Sequence, residues 1–196
     1  MAEYFQLLRR DLTGSLPAPQ WPAHTQLDHY RDELAPAIHA VLRMTQEQGG
    51  GRVPHLQAWQ HQFITDAEFD PTLCLVASNG DGILGVAQCW TSSYIKNLVV
   101  HPRMQGRGLG RALLLNAFKV FQQRREGFVD LKVLEDNQRA QRFWRRQGFI
   151  ATRLRRGIDT GGRLNDLEVM VKPLAGGTLA DYLTLMPRDA PDADLP

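Results

Sequence analysis

The sequence predicts an α/β protein, in which a mixed β-sheet of about seven strands packs against about four helices. Residues 94–112 contain an apolar run, a glycine-rich turn and then apolar residues at helical spacing, which indicates a strand followed by a helix. Residues 128–134 alternate as a strand does, so the intervening helix must cross over and bring the two strands parallel. Residues 79–82, Asn-Gly-Asp-Gly, separate two further apolar runs and are typical of a β-hairpin.

The remaining elements follow from apolar spacing and turn residues. Strands are predicted at residues 4–9, 73–77, 83–90, 149–154 and 167–171, and helices at residues 27–48, at residues 54–64 with Pro54 as the first helical residue, and from the glycine turn to about residue 126. Pro36 must start or kink the first of these helices. A further helix begins at Asp136 or Asn137, residue types that cap helices, and Gly148 is placed to end it.

Length and composition are those of one globular domain. The chain has 196 residues, of which 43% are hydrophobic and 22% charged. We expect a single domain over residues 1–175 and a partly disordered tail over residues 176–196. No apolar run approaches the roughly 18 residues of a membrane span, so we predict a cytoplasmic protein without a membrane partner. A net charge of +2 argues against a nucleic-acid-binding face.

The two cysteines, Cys74 and Cys89, lie on either side of the predicted hairpin turn. If residues 80 and 81 form the loop, Cys74 faces Ala87, and the two thiols are diagonal neighbours on one face of the sheet. That spacing does not favour a disulfide, so we expect two buried free thiols. Because there is no other cysteine and no paired histidine spacing, no metal site is predicted.

The turn at residues 103–111 has the composition of an anion site. Gly106, Gly108 and Gly110 leave backbone N–H groups uncovered and tolerate conformations that point successive amides into one concavity. The helix that begins there adds unpaired amides and the positive end of its dipole, which suit a phosphate or pyrophosphate. Residues 101–156 carry 14 Lys and Arg against 4 Asp and Glu, a net charge of +10 against −8 elsewhere. The alternative interpretation is a surface turn with solvated arginines.

A second motif follows this turn at a definite distance. The turn motif comprises Val100, Pro102, Gln105, Gly106, Arg107, Gly108, Leu109, Gly110 and Leu113. The helix motif starts 27 residues after Gly110 and comprises Asn137, Ala140, Phe143, Trp144, Gly148 and Phe149. In this order and at this separation, the two motifs resemble the acyl-CoA motif and the following helix motif of the GNAT superfamily of N-acetyltransferases. The resemblance covers roughly residues 73–171.

The resemblance implies a mixed sheet that splays open after its fourth strand, with the thioester of acetyl-CoA in the gap. Backbone groups of the fourth strand would pair with the pantetheine arm as an added strand does. Amides of the glycine turn would hold the pyrophosphate. The residues that the resemblance assigns to the cosubstrate are Leu98, Val99, Val100, Gln105, Gly106, Arg107, Gly108, Leu109, Gly110, Arg111, Asn137 and Phe143. For Asn137 the alternative is a plain helix cap.

The resemblance also implies direct attack of a primary amine on acetyl-CoA in a ternary complex, without a covalent enzyme intermediate. The backbone amide of Val100 is the candidate donor to the carbonyl oxygen. Tyr94 stands where several family members carry a glutamate base; a phenol with a pKa of about 10 is a poor base, so Tyr94 is predicted to position a water or shape the site. Trp144 stands where many members have a tyrosine acid, and we interpret it as a core aromatic because an indole N–H is no usable acid.

The base, the acceptor and the oligomeric state are left open by the sequence. Further candidates for the base are Asp66, Glu68, His101, Asp166 and Glu168. The acceptor is expected to be a small-molecule or peptide amine, and the negative charge outside residues 101–156 favours a cationic one. Trp59, Phe63, Phe69 and Trp90 line either an acceptor pocket or the core. The sequence is compatible with a homodimer and does not decide the oligomeric state.

Two other functions are compatible with parts of the sequence. A dinucleotide-binding Rossmann unit also has glycines before a helix, but it expects the first glycine directly after the strand, whereas residues 102–105 intervene here. A non-catalytic domain of the GNAT fold, acting as an acyl-CoA sensor or interaction module, would keep the glycines and lack catalytic groups. Acetyl transfer to an amine would distinguish an enzyme from such a sensor.

Overall fold

The computed structural model describes residues 3–46, 52–157 and 168–170. Its strands are β1 Glu3–Asp11, β2 Gln26–His29, β3 Cys74–Asn79, β4 Gly82–Trp90, β5 Tyr94–Val100, β6 Phe128–Leu134, β7 Ile150–Gly157 and β8 Glu168–Met170. Its α-helices are α1 Ala35–Gln46, α2 Leu56–Ile64, α3 Leu109–Gln123 and α4 Gln138–Arg146. The predicted tail at residues 176–196 lies outside the described residues, so the predicted domain boundary stays a prediction.

All eight strands form one sheet, in the order β2-β3-β4-β5-β6-β1-β7-β8. Neighbouring strands are antiparallel except β5 and β6, which run parallel. The mixed sheet and the parallel pair joined through α3 are therefore confirmed, with one strand more than the seven expected. The first strand of the chain, β1, lies inside the sheet between β6 and β7.

The sheet splays open between β5 and β6, as predicted. Among the described residues, Tyr94 and Asp130 are the single register pair between these two strands. The Asp130 amide also donates to the Ser93 carbonyl at 2.9 Å. Beyond this point the strands diverge. Because β5 is the fourth strand along the sheet, the gap lies after the fourth strand.

Two hydrophobic clusters pack on the two faces of the sheet. One contains the buried face of α3 with Trp144 of α4, and includes Leu75, Leu84, Ile95, Leu113, Phe118, Leu131 and Phe149. The other contains the buried residues of α1 and α2 and includes Ile38, Trp59, Phe63, Val76, Val86, Trp90 and Val99. β5 contributes to both clusters and therefore has helices packed on both of its sides.

The first predicted helix is shorter than expected, because residues 26–29 form the edge strand β2. Leu27, which is 40% exposed, pairs with Ala77 of β3. α1 begins at Ala35, and Pro36 occupies its first turn, where the missing amide removes no helical hydrogen bond. Apolar spacing alone extended the helix too far, since cross-strand pairing and not local pattern determines the conformation of residues 26–29.

The hairpin loop is as predicted, but a register shift close to it places Gln88 rather than Ala87 opposite Cys74. The prediction that the two thiols share one face is therefore wrong. Cys74 lies in the cluster beneath α1 and α2, and Cys89 lies in the cluster beneath α3. Both are free and buried, and desolvation raises the pKa of Cys89 to about 12. The prediction of two buried free thiols is confirmed.

The ends of α4 agree with the sequence prediction. The Asn137 side chain accepts a hydrogen bond from the Ala140 amide at 3.0 Å, so Asn137 is the N-cap. Gly148 has φ +83°, and a Cβ added there would lie 1.7 Å from Nη1 of Arg10. That guanidinium donates to the Gln147 carbonyl at 2.6 Å. Glycine is therefore required at residue 148 both for its conformation and for the space that Arg10 fills.

Within the described part of the chain, no helix is long and apolar enough to cross a membrane. The same residues contain no group of three His, Cys, Asp or Glu side chains that could hold a metal ion. The cytoplasmic location and the homodimer stay predictions.

Candidate functional site

The gap between β5 and β6 starts at a buried ion pair. Arg9 of β1 donates to both carboxylate oxygens of Asp130, at 2.7 and 2.6 Å, and the two side chains are 7% and 14% exposed. The Arg9 guanidinium also lies 3.9 Å above the Phe128 ring centroid. Since the Asp130 backbone pairs with Tyr94, this two-pronged contact fixes β6 against β5 at the point where they separate.

The point where β5 and β6 separate, at the Tyr94 and Asp130 pair, is called the vertex of the gap. A β-bulge in β5 lies just beyond this vertex. Cys89 of β4 pairs with Ile95, but Gln88 pairs with Asn97, so Lys96 is the extra residue of the bulge. A bulge bends and twists its strand locally. The bulge therefore lies where β5 turns away from β6.

The backbone of β5 beyond the bulge presents hydrogen-bonding groups to the gap. The His101 amide donates to Leu84 of β4 at 2.8 Å. Hydrogen-bonded pairs alternate along an antiparallel ladder, so Val99 also bonds to β4 whereas the N–H and C=O of Leu98 and Val100 point to the other side. That side is the opening toward β6. An extended ligand can pair there as an added strand.

The glycine turn follows at the end of β5. Gly106 and Gly108 have φ of +75° and +84°, and Gly108 is the N-cap of α3. The Ala112 amide bonds back to the Gly108 carbonyl at 3.0 Å, so the three preceding amides, Leu109 to Arg111, come before the first helical hydrogen bond. Uncovered amides at the positive end of a helix dipole suit an anion, so the anion site at this turn stays a prediction that the geometry allows.

Two amides of the predicted pyrophosphate cradle bond within the turn. The Gln105 amide donates to the Pro102 carbonyl at 3.3 Å, and the Arg107 amide donates to the Met104 carbonyl at 3.3 Å. These bonds shape the turn. The start of α3 therefore provides the amides best placed for an anion.

Side chains from α4 reach this turn. A Cβ added at Gly110 would lie 3.3 Å from Val100 and 3.9 Å from Phe143, so glycine allows the three residues to meet. Nη2 of Arg139 donates to the Gln105 side chain at 2.8 Å. The fold thus brings the end of β5, the start of α3 and the first turns of α4 together, as the two sequence motifs predict.

The basic side chains around the turn are exposed, including Arg107 and Arg111. Arg103 donates to the Asp81 carbonyl at 3.3 Å and connects the turn to the hairpin loop. Partial burial and the nearby Arg103 charge lower the pKa of His101, whose Nδ1 accepts from the Arg103 amide. At neutral pH, the His101 side chain, which directly follows β5, therefore adds no positive charge to the turn.

Tyr94 is half-buried and packs against the cluster beneath α1 and α2, and two acidic residues contact the backbone segment around it. One is Asp130, held by Arg9. The other is Glu68, which accepts from the Ser92 amide at 3.2 Å and also from the Ser92 hydroxyl. Glu68 was one of the sequence candidates for the base, whereas sequence reasoning missed Asp130. Of the other candidates, Asp166 lies outside the described residues.

The aromatic residues for which the sequence left a choice between the core and the site are part of the core. Trp144 is 8% exposed and packs edge-on against Phe149, with ring centroids 5.4 Å apart. Trp59, Phe63 and Trp90 are buried in stacked contacts, and Phe69 packs on their edge. The core interpretation of Trp144 is therefore the one that the structure favours.

The predicted cosubstrate residues lie along one path, with different surroundings. Leu98, Val100 and Phe143 pack partly buried beside the α3 cluster, while the Val99 side chain is buried beneath α1 and α2. The Asn97 and Gln88 side chains, which sequence reasoning missed, bond to each other beneath those helices. A polar residue at matching positions of two neighbouring apolar strands was the available signal.

Comparison with known proteins identifies relatives. The chain is 39% identical over 99 residues to a mycothiol acetyltransferase of Beutenbergia cavernae, which covers 46% of this chain and 33% of that protein. It is 36% identical over 119 residues to a mycothiol acetyltransferase of Kineococcus radiotolerans, covering 58% of this chain and 37% of that protein. The chain thus spans about a third of the length of these curated relatives.

The fold resembles a GCN5-related N-acetyltransferase from Sphaerobacter thermophilus, with a TM-score of 0.61 and 25% identity over 76% of this chain and 49% of that one. The model of the acetyltransferase (GNAT) family matches residues 36–149, which is more than half of the chain. The matched region includes the splayed strands, the glycine turn and α4. On this match, together with the site geometry, the chain belongs to the GNAT family of acetyltransferases.

Proposed function

We propose that this chain transfers an acetyl group from acetyl-CoA to a primary amine by direct attack in a ternary complex. The observation that carries the proposal is the continuous path from the outward backbone groups of Leu98 and Val100 to the uncovered amides at the start of α3. This path offers strand-like pairing to a pantetheine arm and an anion site for a pyrophosphate at its end. Acetyl-CoA supplies the activated thioester when bound.

The residues have separate roles in this proposal. Leu98 and Val100 hold the pantetheine through their backbone, and Gly108 to Arg111 hold the pyrophosphate. A gap-facing amide of β5, at Val100 or the neighbouring Leu98, stabilises the carbonyl oxygen as negative charge develops there. Tyr94 positions a water that accepts the proton of the amine. Trp144 lies in the core, so no indole group takes part in the departure of the thiolate.

The acceptor is proposed as a class only. The curated relatives are mycothiol acetyltransferases, so the acceptor of those enzymes is included in a test panel. Because the chain spans only about a third of their length, the panel is not limited to that acceptor. The panel also contains spermidine, kanamycin, an Nα-blocked lysine and an alanine-initiated peptide, which present primary amines of different charge and size. A cytoplasmic enzyme would meet acetyl-CoA and such amines together.

The test is steady-state acetyl transfer from acetyl-CoA to this panel, followed as thiol release and confirmed by the mass of the acetylated amine. Transfer to any amine without an acetyl-enzyme supports the proposal. Accumulation of an acetyl-enzyme contradicts direct attack. CoA binding without transfer to any amine would favour the non-catalytic sensor.

Replacement of Gly108 by alanine tests the cradle. Gly108 and Gly82 both have positive φ and no atom within 4 Å of an added Cβ, so alanine strains the backbone at both residues without a clash. Of the two methyl groups introduced, only the one at residue 108 would lie at the predicted pyrophosphate site. We expect Gly108→Ala to weaken CoA binding by about ten-fold or more, and Gly82→Ala to leave it within about two-fold. Calorimetric titration with CoA measures both, and equal losses would contradict the assignment.

A further inference from the structure

A pair of neutral amide side chains crosses from β4 to β5 beneath α1 and α2. Gln88 and Asn97 are opposite each other in the ladder, and Nδ2 of Asn97 donates to Oε1 of Gln88 at 2.6 Å. Gln88 is 1% exposed, and its Nε2 is buried without a hydrogen-bond partner among the residues that the structure describes. Leaving a buried amide unsatisfied costs folding free energy, so its presence requires an explanation.

The pair of Gln88 and Asn97 lies close to the gap between β5 and β6. Trp90 and Tyr94 continue the same face of the two strands toward the vertex. The peptide between Asn97 and Leu98 carries the Leu98 amide, which points into the opening. The Asn97 side chain is therefore attached next to a candidate donor for the thioester carbonyl, on the opposite face of β5 from the α3 cluster.

The hydrogen bond to Gln88 determines what Asn97 can offer. Its Nδ2 is engaged by Gln88, so its Oδ1 is the atom left to accept a hydrogen bond, and Asn97 is only half-buried. Within the described part of the chain, no hydrogen-bond donor reaches this oxygen. An amine N–H is the matching donor.

We propose that Asn97 binds the nitrogen of the acceptor amine through Oδ1, and that Gln88 holds Asn97 in this orientation and donates through Nε2 to a polar group of the acceptor beside the amine. The inference rests on the proposed acetyl transfer and specifies its acceptor: a primary amine with a neighbouring hydrogen-bond acceptor. Asn97 and Gln88 are then both specificity-determining residues, and Gln88 also positions Asn97.

A neutral amide has a chemical advantage at this place over a carboxylate. A carboxylate beside the amine would stabilise the ammonium form and raise the pKa of the acceptor. An amide oxygen accepts the hydrogen bond without a full negative charge. It therefore orients the amine and opposes its deprotonation less, which suits a site where Tyr94 is a poor base.

The experiment compares Asn97→Ala, Asn97→Asp and Gln88→Met with wild type, using the panel amine that wild type acetylates fastest. Asn97→Ala should raise the KM for the amine by about ten-fold and leave the KM for acetyl-CoA within about two-fold. Asn97→Asp should shift the pH profile of kcat/KM to higher pH, because the new carboxylate favours the ammonium. Gln88→Met should raise the KM for the amine less than Asn97→Ala does.

The matched control is Asn116→Ala, which removes another half-buried asparagine, on α3, and should change neither KM nor the pH profile. Equal rises in both KM values, or an unshifted pH profile in Asn97→Asp, would overturn the inference while the proposed acetyl transfer stands. If wild type acetylates no panel amine, the proposed function fails. Side-chain amide NMR of CoA-saturated protein then decides: shifts of the Asn97 resonances on adding an amine support the contact, and no shift with any amine contradicts it.

Discussion

The two halves of the sheet differ in how they are held, although both are made of ordinary strands. On one side of the gap, β2 to β5 form a continuous antiparallel ladder with helices packed on both faces of β5. On the other side, β6 is joined to β5 by one register pair and is held instead by β1, which pairs with it over residues 5–11. Each half of the sheet is stabilised by pairing among its own strands, so the two halves can stay apart with few hydrogen bonds between β5 and β6.

The comparison also explains the position of the N-terminal strand. β1 pairs with β6 on one side and with β7 on the other, so it fastens the second half together. Through Arg9 it also carries the ion pair at the vertex. The first half is held by hydrophobic burial along β4 and β5, whereas the vertex is held by a largely buried charge pair together with the backbone bond from Asp130 to Ser93.

The largest expected effect comes from breaking that pair. Arg9→Ala leaves the largely buried Asp130 carboxylate without its partner, and we expect a loss of about 3 kcal/mol in the free energy of unfolding, measured by urea denaturation. The double replacement Arg9→Met with Asp130→Leu should cost clearly less, because no charge remains unpaired. Equal costs for the single and double variants would show that the vertex depends on packing rather than on the ion pair.

The next effect tests the tightly packed half. A Cβ added at Gly85 of β4 would lie 2.9 Å from the Val99 carbonyl oxygen and 3.0 Å from Leu113 of α3. Gly85→Ala should therefore destabilise the protein by about 2 kcal/mol through overpacking. The control is Gly80→Ala in the hairpin loop, where an added Cβ meets nothing within 4 Å. A similar loss in both variants, by thermal or urea unfolding, would contradict the packing argument.

A smaller effect is expected on α4, which connects the two halves at the glycine turn. Asn137→Ala removes the side chain that caps the helix and should cost about 1 kcal/mol in the free energy of unfolding. Asn137→Ser keeps a capping oxygen and should cost less. If Asn137 also contacts acetyl-CoA as predicted, both variants should have a higher KM for acetyl-CoA than wild type. A raised KM in Asn137→Ala alone would indicate that only the cap matters.

The smallest effect is a pH dependence at the far end of α3. The hydrogen bond from Thr72, aided by Arg124, lowers the pKa of Asp70, whose carboxylate lies 2.9 Å from Arg124. A lowered pKa stabilises the fold above the unfolded-state value of about 3.9, and this contribution is lost as the pH falls through the folded-state pKa. Because both side chains are partly exposed, we expect under about 1 kcal/mol.

Asp70→Asn keeps the capping oxygen and removes the charge, so it isolates this contribution. The difference in unfolding free energy between wild type and Asp70→Asn should be present at pH 7 and should shrink as the pH is lowered below about 4. Urea denaturation at pH 7 and pH 3 measures it. A difference that grows toward acid pH would have the wrong sign for this ion pair.

Much of the first half, the glycine turn and the ends of α4 could be predicted because their signals are local. The Asn-Gly-Asp-Gly hairpin, the glycines at 106 and 108 with positive φ, and the Asn137 cap each depend on a few neighbouring residues. Errors occurred where distant pairing decides the conformation. β2 had a helical pattern, and a register shift in the hairpin separated the two cysteines onto opposite faces.

The sequence by itself determined the glycine turn and the order of strand, turn and helix around it, because glycine conformation and helix capping are properties of short segments. Only the tertiary structure decided what surrounds Tyr94. Arg9 and Asp130 are 121 residues apart, and Gln88 meets Asn97 only through the register of β4 and β5. Contacts between distant segments depend on how strands pair, and no local pattern specifies that pairing.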